Sequence, residues 1–129
     1  MNVAEATVAE AKGKAAVTVE GASEGFSFPA ELLGRLNGSS AKKLSLGIRP
    51  EGIVVAHQGA EGFLPAEAHI IEPLGSYDIV DLKFGSQMLR ARTRSGFVAK
   101  AGDQVFARID PAQAHFFDTA SGQSLGVRL

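Results

Sequence analysis

Short runs in which apolar and polar residues alternate, each ended within a few positions by Gly, Pro, Asn or Asp, recur along most of this chain. That period of two sends successive side chains to opposite faces, so each run offers one apolar face to a core and one polar face to water. Helical periodicity is scarce. Fifteen glycines in 129 residues supply the punctuation, well above the usual ~7%, and in a chain that is not of low complexity they point to many tight turns. The fold class expected is all-β.

Residues 5–11 and 14–20 read as a hairpin turned at Lys12-Gly13, with Val17 and Val19 on one face. Phe26-Ser27-Phe28 resumes the alternation until Pro29. Residues 31–36 suggest one helical turn closed by Asn37-Gly38. Leu44, Leu46 and Ile48 alternate cleanly up to Pro50, and residues 53–56 form a further short run. In the second half, 65–72 turns at Pro73-Leu74-Gly75 into 77–84, and Gly85-Ser86 is a two-residue hairpin signal leading to 87–94. Tyr77 and Ile79 have the opposite parity to Val80, Leu82 and Phe84, so a β-bulge near Ile79 is expected to bring all five onto one face. Val105, Ala107 and Ile109 follow the turn at Ala101-Gly102-Asp103, and a terminal hairpin through 118–122 returns along 124–127. The expectation is seven to ten short antiparallel strands in a small barrel or a sandwich, between which periodicity does not choose.

The length fits one domain over residues 1–129, and a formal net charge of −1 gives no global attraction to nucleic acid or anionic lipid. With no cysteine, disulfides and thiolate chemistry are excluded. The apolar runs are far shorter than the ~20 residues that span a bilayer, and no signal peptide is visible, so a cytoplasmic protein is expected.

Few residue patterns carry chemistry. No Gly-x-x-x-x-Gly-Lys-Ser/Thr loop and no Gly-x-Ser-x-Gly elbow occur, so neither nucleotide hydrolysis nor a serine triad is expected of the chain by itself. His57, His69 and His115 lack the short spacings of a metal site, and Glu67, Glu72, Asp78 and Asp81 fall where a strand would expose its polar face. No catalytic, cofactor or metal residue is assigned. Arg90, Arg92 and Arg94 share one face of one strand. They suit a solvated or acid-paired face, a contact to a protein or an anion, or nucleic acid; Ala91 and Thr93 between them are not stacking residues, which disfavours single strands. In Arg49-Pro50-Glu51, proline fixes how two charges leave a strand, making either an ion-paired brace or a contact to a partner. Gly75 suits a turn with positive φ, and Glu72 is placed to cap it.

At these residues the sequence resembles a known family. Ser45-Leu46-Gly47-Ile48-Arg49-Pro50-Glu51, Ile71-Glu72-Pro73-Leu74-Gly75, Gly102-Asp103 with Val105, and His115-Phe116-Phe117-Asp118 with Gly122 are similar in order and spacing to the regulatory OB-type (TOBE) region of ATPase subunits of sugar-type ABC importers, the maltose-transporter class. The match runs well over residues 44–125, whereas 1–43 resemble that region only in paired strands and apolar pattern. The resemblance implies an OB-like barrel that follows an ATPase domain and touches a second copy of itself across the ATPase homodimer. It also implies that ATP and Mg are handled by that ATPase domain, absent here, and that the module serves the membrane permease from the cytosolic face and in some members receives regulatory proteins. Arg49, Pro50, Glu51, Glu72 and Gly75 carry the family motifs. Two rivals remain: a small-ligand or oxyanion-binding OB domain, favoured by the arginine stripe, and a nucleic-acid-binding OB domain. The sequence does not code for the cargo.

Overall fold

The computed structural model describes residues 2–11, 13–22, 24–31 and 43–118. Among them are the ten strands β1 (Asn2–Ala11), β2 (Lys14–Val19), β3 (Phe26–Phe28), β4 (Lys43–Ile48), β5 (Ile53–Ala56), β6 (Leu64–Pro73), β7 (Tyr77–Phe84), β8 (Gln87–Arg94), β9 (Gln104–Ile109) and β10 (Ala114–Asp118). Every pairing is antiparallel, and the strands form two five-stranded sheets ordered β10-β4-β1-β2-β3 and β5-β9-β6-β7-β8. The sheets curl toward each other as half-barrels of a small OB-like barrel. Beyond Glu31 itself, the helical turn expected over 31–36 lies outside the described residues, as does the terminal hairpin.

The turns follow from glycine. Ala11 pairs with Lys14 across Lys12-Gly13, and Phe84 with Gln87 across Gly85-Ser86, so both loops have two residues. Gly13 and Gly85 take φ of +78° and +58°, the left-handed region that such hairpins require. One core then fills the space between the sheets. Val8, Val17, Phe26, Phe28, Leu46, Ile48 and Phe116 from the first meet Val80, Leu82, Phe84, Leu89 and Val105 from the second. Two edge-to-face ring pairs mark it: Phe28 with Phe116 at 5.8 Å within the first sheet, and Phe26 with Phe84 at 5.3 Å between the sheets.

Polar groups close the seams. The side-chain amide of Asn2 on β1 donates to the Arg90 carbonyl at 2.8 Å and accepts from the Arg90 N–H at 2.8 Å, joining β1 to the edge of β8. At the other end of that hairpin, Gly21 and Gly85 meet backbone to backbone. A Cβ added to Gly85 would strike the Gly21 carbonyl oxygen, and one added to Gly21 would strike the Ser86 hydroxyl.

The bulge is not in β7. It lies in β6, between Ala68 and Ile70, while β7 alternates without a break, burying Asp78, Val80, Leu82 and Phe84 and turning Tyr77 and Ile79 outward. The reason is that the Ala68 N–H bonds the Asp103 carbonyl at 2.9 Å and its carbonyl accepts from the Gly102 N–H at 2.7 Å. Held by the 102–103 turn, β6 leaves β9 after Glu67 and steps one residue to stay in register with β7. Asp78 is therefore a core-side residue and not one of an exposed polar row.

Candidate functional site

The first candidate is the corner where β4 leaves the sheet. Arg49 is extended (φ −75°, ψ 152°), and Pro50 starts a 3-10 turn, Pro50–Gly52, whose Gly52 N–H bonds the Arg49 carbonyl at 2.9 Å. Gly52 is buried against Ile48, where a side chain would clash, and its carbonyl accepts from the Asp110 N–H at 2.8 Å. Asp110 caps a second 3-10 turn, Pro111–Gln113, by accepting from the Ala112 N–H at 3.0 Å. Two proline-initiated turns thus stand side by side. Between them an open pocket of about 270 Å³ is lined by Arg49, Glu51, Ala112, Gln113 and His115. Arg49 and Glu51 are both exposed and form no ion pair with each other or with any other described residue. Of the alternatives open from sequence, the ion-paired brace has no support here.

The second candidate is the outer face of β6, β7 and β8. Register places Ile70, Asp81 and Arg90 in one row, Glu72, Ile79 and Arg92 in the next, and Tyr77 beside Arg94 in the last. Arg90 is spent within the fold, its Nη2 on Glu72 Oε1 at 3.0 Å and its Nε on Asp81 Oδ1 at 3.2 Å. Glu72 therefore braces the stripe instead of capping the Gly75 turn. That turn is held by the Leu74 N–H on the Tyr77 carbonyl at 2.9 Å, with Gly75 at φ +97° as its sequence suggests.

Arg92 and Arg94 behave differently. Neither forms an ion pair with a carboxylate among the described residues. The Arg92 guanidinium lies 4.0 Å above the Tyr77 ring and that of Arg94 lies 5.0 Å from the Phe97 ring, which stacks on His57 at 4.2 Å. Buried Asp78 holds this arrangement in place: its Oδ2 accepts from the Gly96 N–H at 2.9 Å, fixing the turn that presents Phe97. Tyr77, Asp78 and Phe97 were not assigned roles from sequence. The signal for Tyr77 was present, because a two-residue loop at Gly85-Ser86 fixes its pairing with Arg94 and its diagonal contact with Arg92. No group of three or more His, Asp or Glu side chains suited to a metal gathers among the described residues.

The family model of the TOBE domain matches residues 46–117, more than half of the chain. The chain belongs to the TOBE-domain family. Its relatives agree with this. The chain is 35% identical over 86 residues to the sn-glycerol-3-phosphate import ATP-binding protein UgpC of Salmonella typhi, and 34% over 84 residues to that of Escherichia coli O157:H7. These alignments take in 67% and 65% of this TOBE-domain chain but only 24% and 23% of the relatives, so it spans about a quarter of their length. A solved structure of the cytoplasmic molybdate-binding protein ModG, with molybdate bound, overlays with a TM-score of 0.64 at 17% identity, covering 89% of this chain and 94% of that one. At that identity the likeness speaks for the fold.

Proposed function

We propose that this TOBE domain is a regulatory, dimer-stabilising module of the ATP-binding subunit of an ABC importer for a sugar, polyol or sugar phosphate. The observation that carries the reading is the kinship, over a quarter of their length, with import ATP-binding proteins. The catalytic handling of ATP and Mg belongs, on this reading, to a nucleotide-binding domain outside these 129 residues. The module works at the cytosolic face of the membrane, beside its own second copy and the permease. An ATPase dimer must bring its nucleotide sites together and part them again, so a contact outside those sites biases that equilibrium by its differential free energy in the two states. The exposed, unpaired Arg49 and Glu51 on their rigid corner are suited to such a contact.

The experiment replaces Arg49 and Glu51 by Ala in the full transporter and follows transport, its inhibition and ATP hydrolysis together. Transport or its regulation is expected to change more than the intrinsic hydrolysis of the nucleotide-binding domains. Unchanged transport, regulation and dimer stability would remove the dimer-contact role. A second reading, an oxyanion-binding domain, draws on the two arginines left without acids and on the fold shared with a molybdate-binding protein. Calorimetric titration with molybdate and with phosphate tests it, and absence of heat at millimolar ligand sinks it.

A further inference from the structure

We propose that the groove between β5 and β8 holds a small zwitterion of the α-amino-acid kind, its carboxylate on Arg92 and Arg94, its ammonium on Glu51 and an aliphatic side chain against β5. The groove encloses about 340 Å³ and is lined by Glu51 and residues 53–55 on one side and by Arg92, Arg94 and Phe97 on the other, within the lower range of pockets that hold small molecules. The 50–52 turn and β5 both lie along β8 within 8 Å between Cα atoms. A strand added between them would need about 4.8 Å on each side. The occupant is therefore a small molecule lying across the outer mouth of the groove.

Opposite charges line this groove without neutralising each other. No ion pair joins Glu51 to Arg92 or Arg94, and none joins any of the three to another described residue. Their supports hold them apart. The Arg92 guanidinium rests 4.0 Å above the Tyr77 ring and that of Arg94 lies 5.0 Å from the Phe97 ring, itself stacked on His57. Glu51 stands in a turn whose course is set by Pro50 and by the bond from the Gly52 N–H to the Arg49 carbonyl. Two cations and one anion are thus positioned before any ligand arrives, which lowers the ordering cost of binding one.

The pattern of charge specifies the occupant. A simple anion is attracted by the arginines and repelled by Glu51, and a simple cation meets the reverse. A molecule that carries both signs satisfies both sides. A guanidinium stacked on a ring keeps its edge donors available to a carboxylate, and an ammonium is a compact donor to Glu51. Between the charged groups, Ile53, Val54 and Val55 add aliphatic surface, the last two only half-buried. This site differs from an oxyanion site in requiring Glu51. It also stands apart from the dimer contact, because Arg49 borders the neighbouring pocket with Gln113 and His115 and takes no part in the groove.

The test titrates the isotope-labelled 129-residue chain with leucine, with leucinamide, which lacks the carboxylate, with isocaproate, which lacks the ammonium, with glycine and with inorganic phosphate. Leucine is expected to shift the amide resonances of residues 51–55 and 92–94, and each of the other four to bind at least tenfold more weakly. Two variants assign the charges. Glu51→Gln should weaken leucine at least tenfold and spare isocaproate, whereas Arg92→Gln/Arg94→Gln, which keeps its stems on the rings, should weaken leucine at least tenfold and spare leucinamide. Unchanged resonances from the first sheet show that each variant is folded, and a variant that weakens all ligands alike would indicate a structural role and overturn the assignment. No shifts at millimolar leucine, or shifts centred elsewhere, would overturn the proposal. So would isocaproate or phosphate binding as tightly as leucine, which would make this a small-anion site, leucinamide doing so, which would make it a cation site, or glycine doing so, which would remove the aliphatic contact.

Discussion

Gly75 and Gly85 both have positive φ, +97° and +58°, but they differ in surroundings, and the difference separates two costs. At Gly75 a Cβ would meet no atom within 4 Å, so Gly75→Ala carries backbone strain alone, about 1–3 kcal/mol. At Gly85 the same methyl group runs into the backbone of Gly21 and Ala22, and backbone does not yield as a side-chain tip does. Gly85→Ala should therefore add crowding of about 1–3 kcal/mol to a comparable strain. Urea unfolding of the two variants should rank Gly85→Ala as the less stable, and the reverse order would mean that the 20–22 loop moves aside cheaply. Asp78 allows a different comparison. Asp78→Ala leaves the Gly96 N–H without its acceptor, for a loss of about 1–3 kcal/mol, while Asp78→Asn keeps an oxygen in place and should lose less. Equal losses would show that the bond to Gly96 contributes nothing measurable. Asp78 is also where the sequence misleads. An acid in a run of alternating residues suggests a solvent face, whereas β7 alternates without a bulge of its own and so places Asp78 in the parity of buried Val80, Leu82 and Phe84.

At the scale of elements, strands and turns were legible because their signals are local. Gly13, Gly85 and Gly102 lie where turns were expected, and Leu44, Leu46, Ile48, Val105, Ala107 and Ile109 are buried as their alternation implies. What could not be read was pairing between distant strands, since that depends on the curl of both sheets. The seam between β1 and β8 is such a case: nothing local marks Asn2, 88 positions before Arg90, as the residue that closes it. Asn2→Ala should speed hydrogen exchange at the Arg90 amide while leaving the β6–β7 amides protected, with an overall cost of about 1–3 kcal/mol for three side-chain hydrogen bonds, two to Arg90 and one to the Ile48 carbonyl. Unchanged exchange at Arg90 would mean that water serves it as well as Asn2 does. The same limit applies to the arginine stripe. Its shared face was legible, but that Arg90 is tied to Glu72 and Asp81 while Arg92 and Arg94 rest on rings follows from three strands in register and a loop.

The whole molecule poses the question of cooperativity. The TOBE match begins at Leu46, so β1, β2 and β3 stand outside it, yet these strands are the middle and one edge of the first sheet. Without them, β4 and β10 would pair only with each other, and an isolated two-stranded ribbon is marginal in water. The sheets also share their interior through Phe26 and Phe84, the Gly21–Gly85 contact and the Asn2–Arg90 bonds. Neither sheet has a second hydrophobic face to bury elsewhere, so exposing one exposes the other and a single all-or-none transition is expected. The sequence provides a probe, because Tyr77 on β7 is its one tyrosine and there is no tryptophan. Tyrosine fluorescence reports the second sheet, while far-ultraviolet dichroism reports both. Phe28, 1% exposed and packed on Phe116, lies wholly in the first sheet. Phe28→Ala should cost about 3–5 kcal/mol, and it should move the fluorescence midpoint as far as the dichroism midpoint although Tyr77 is in the other sheet. If the dichroism curve split and Tyr77 kept its wild-type midpoint, the half-barrels would unfold separately, and residues 1–31 would be an appendage to the matched region instead of part of one folding unit.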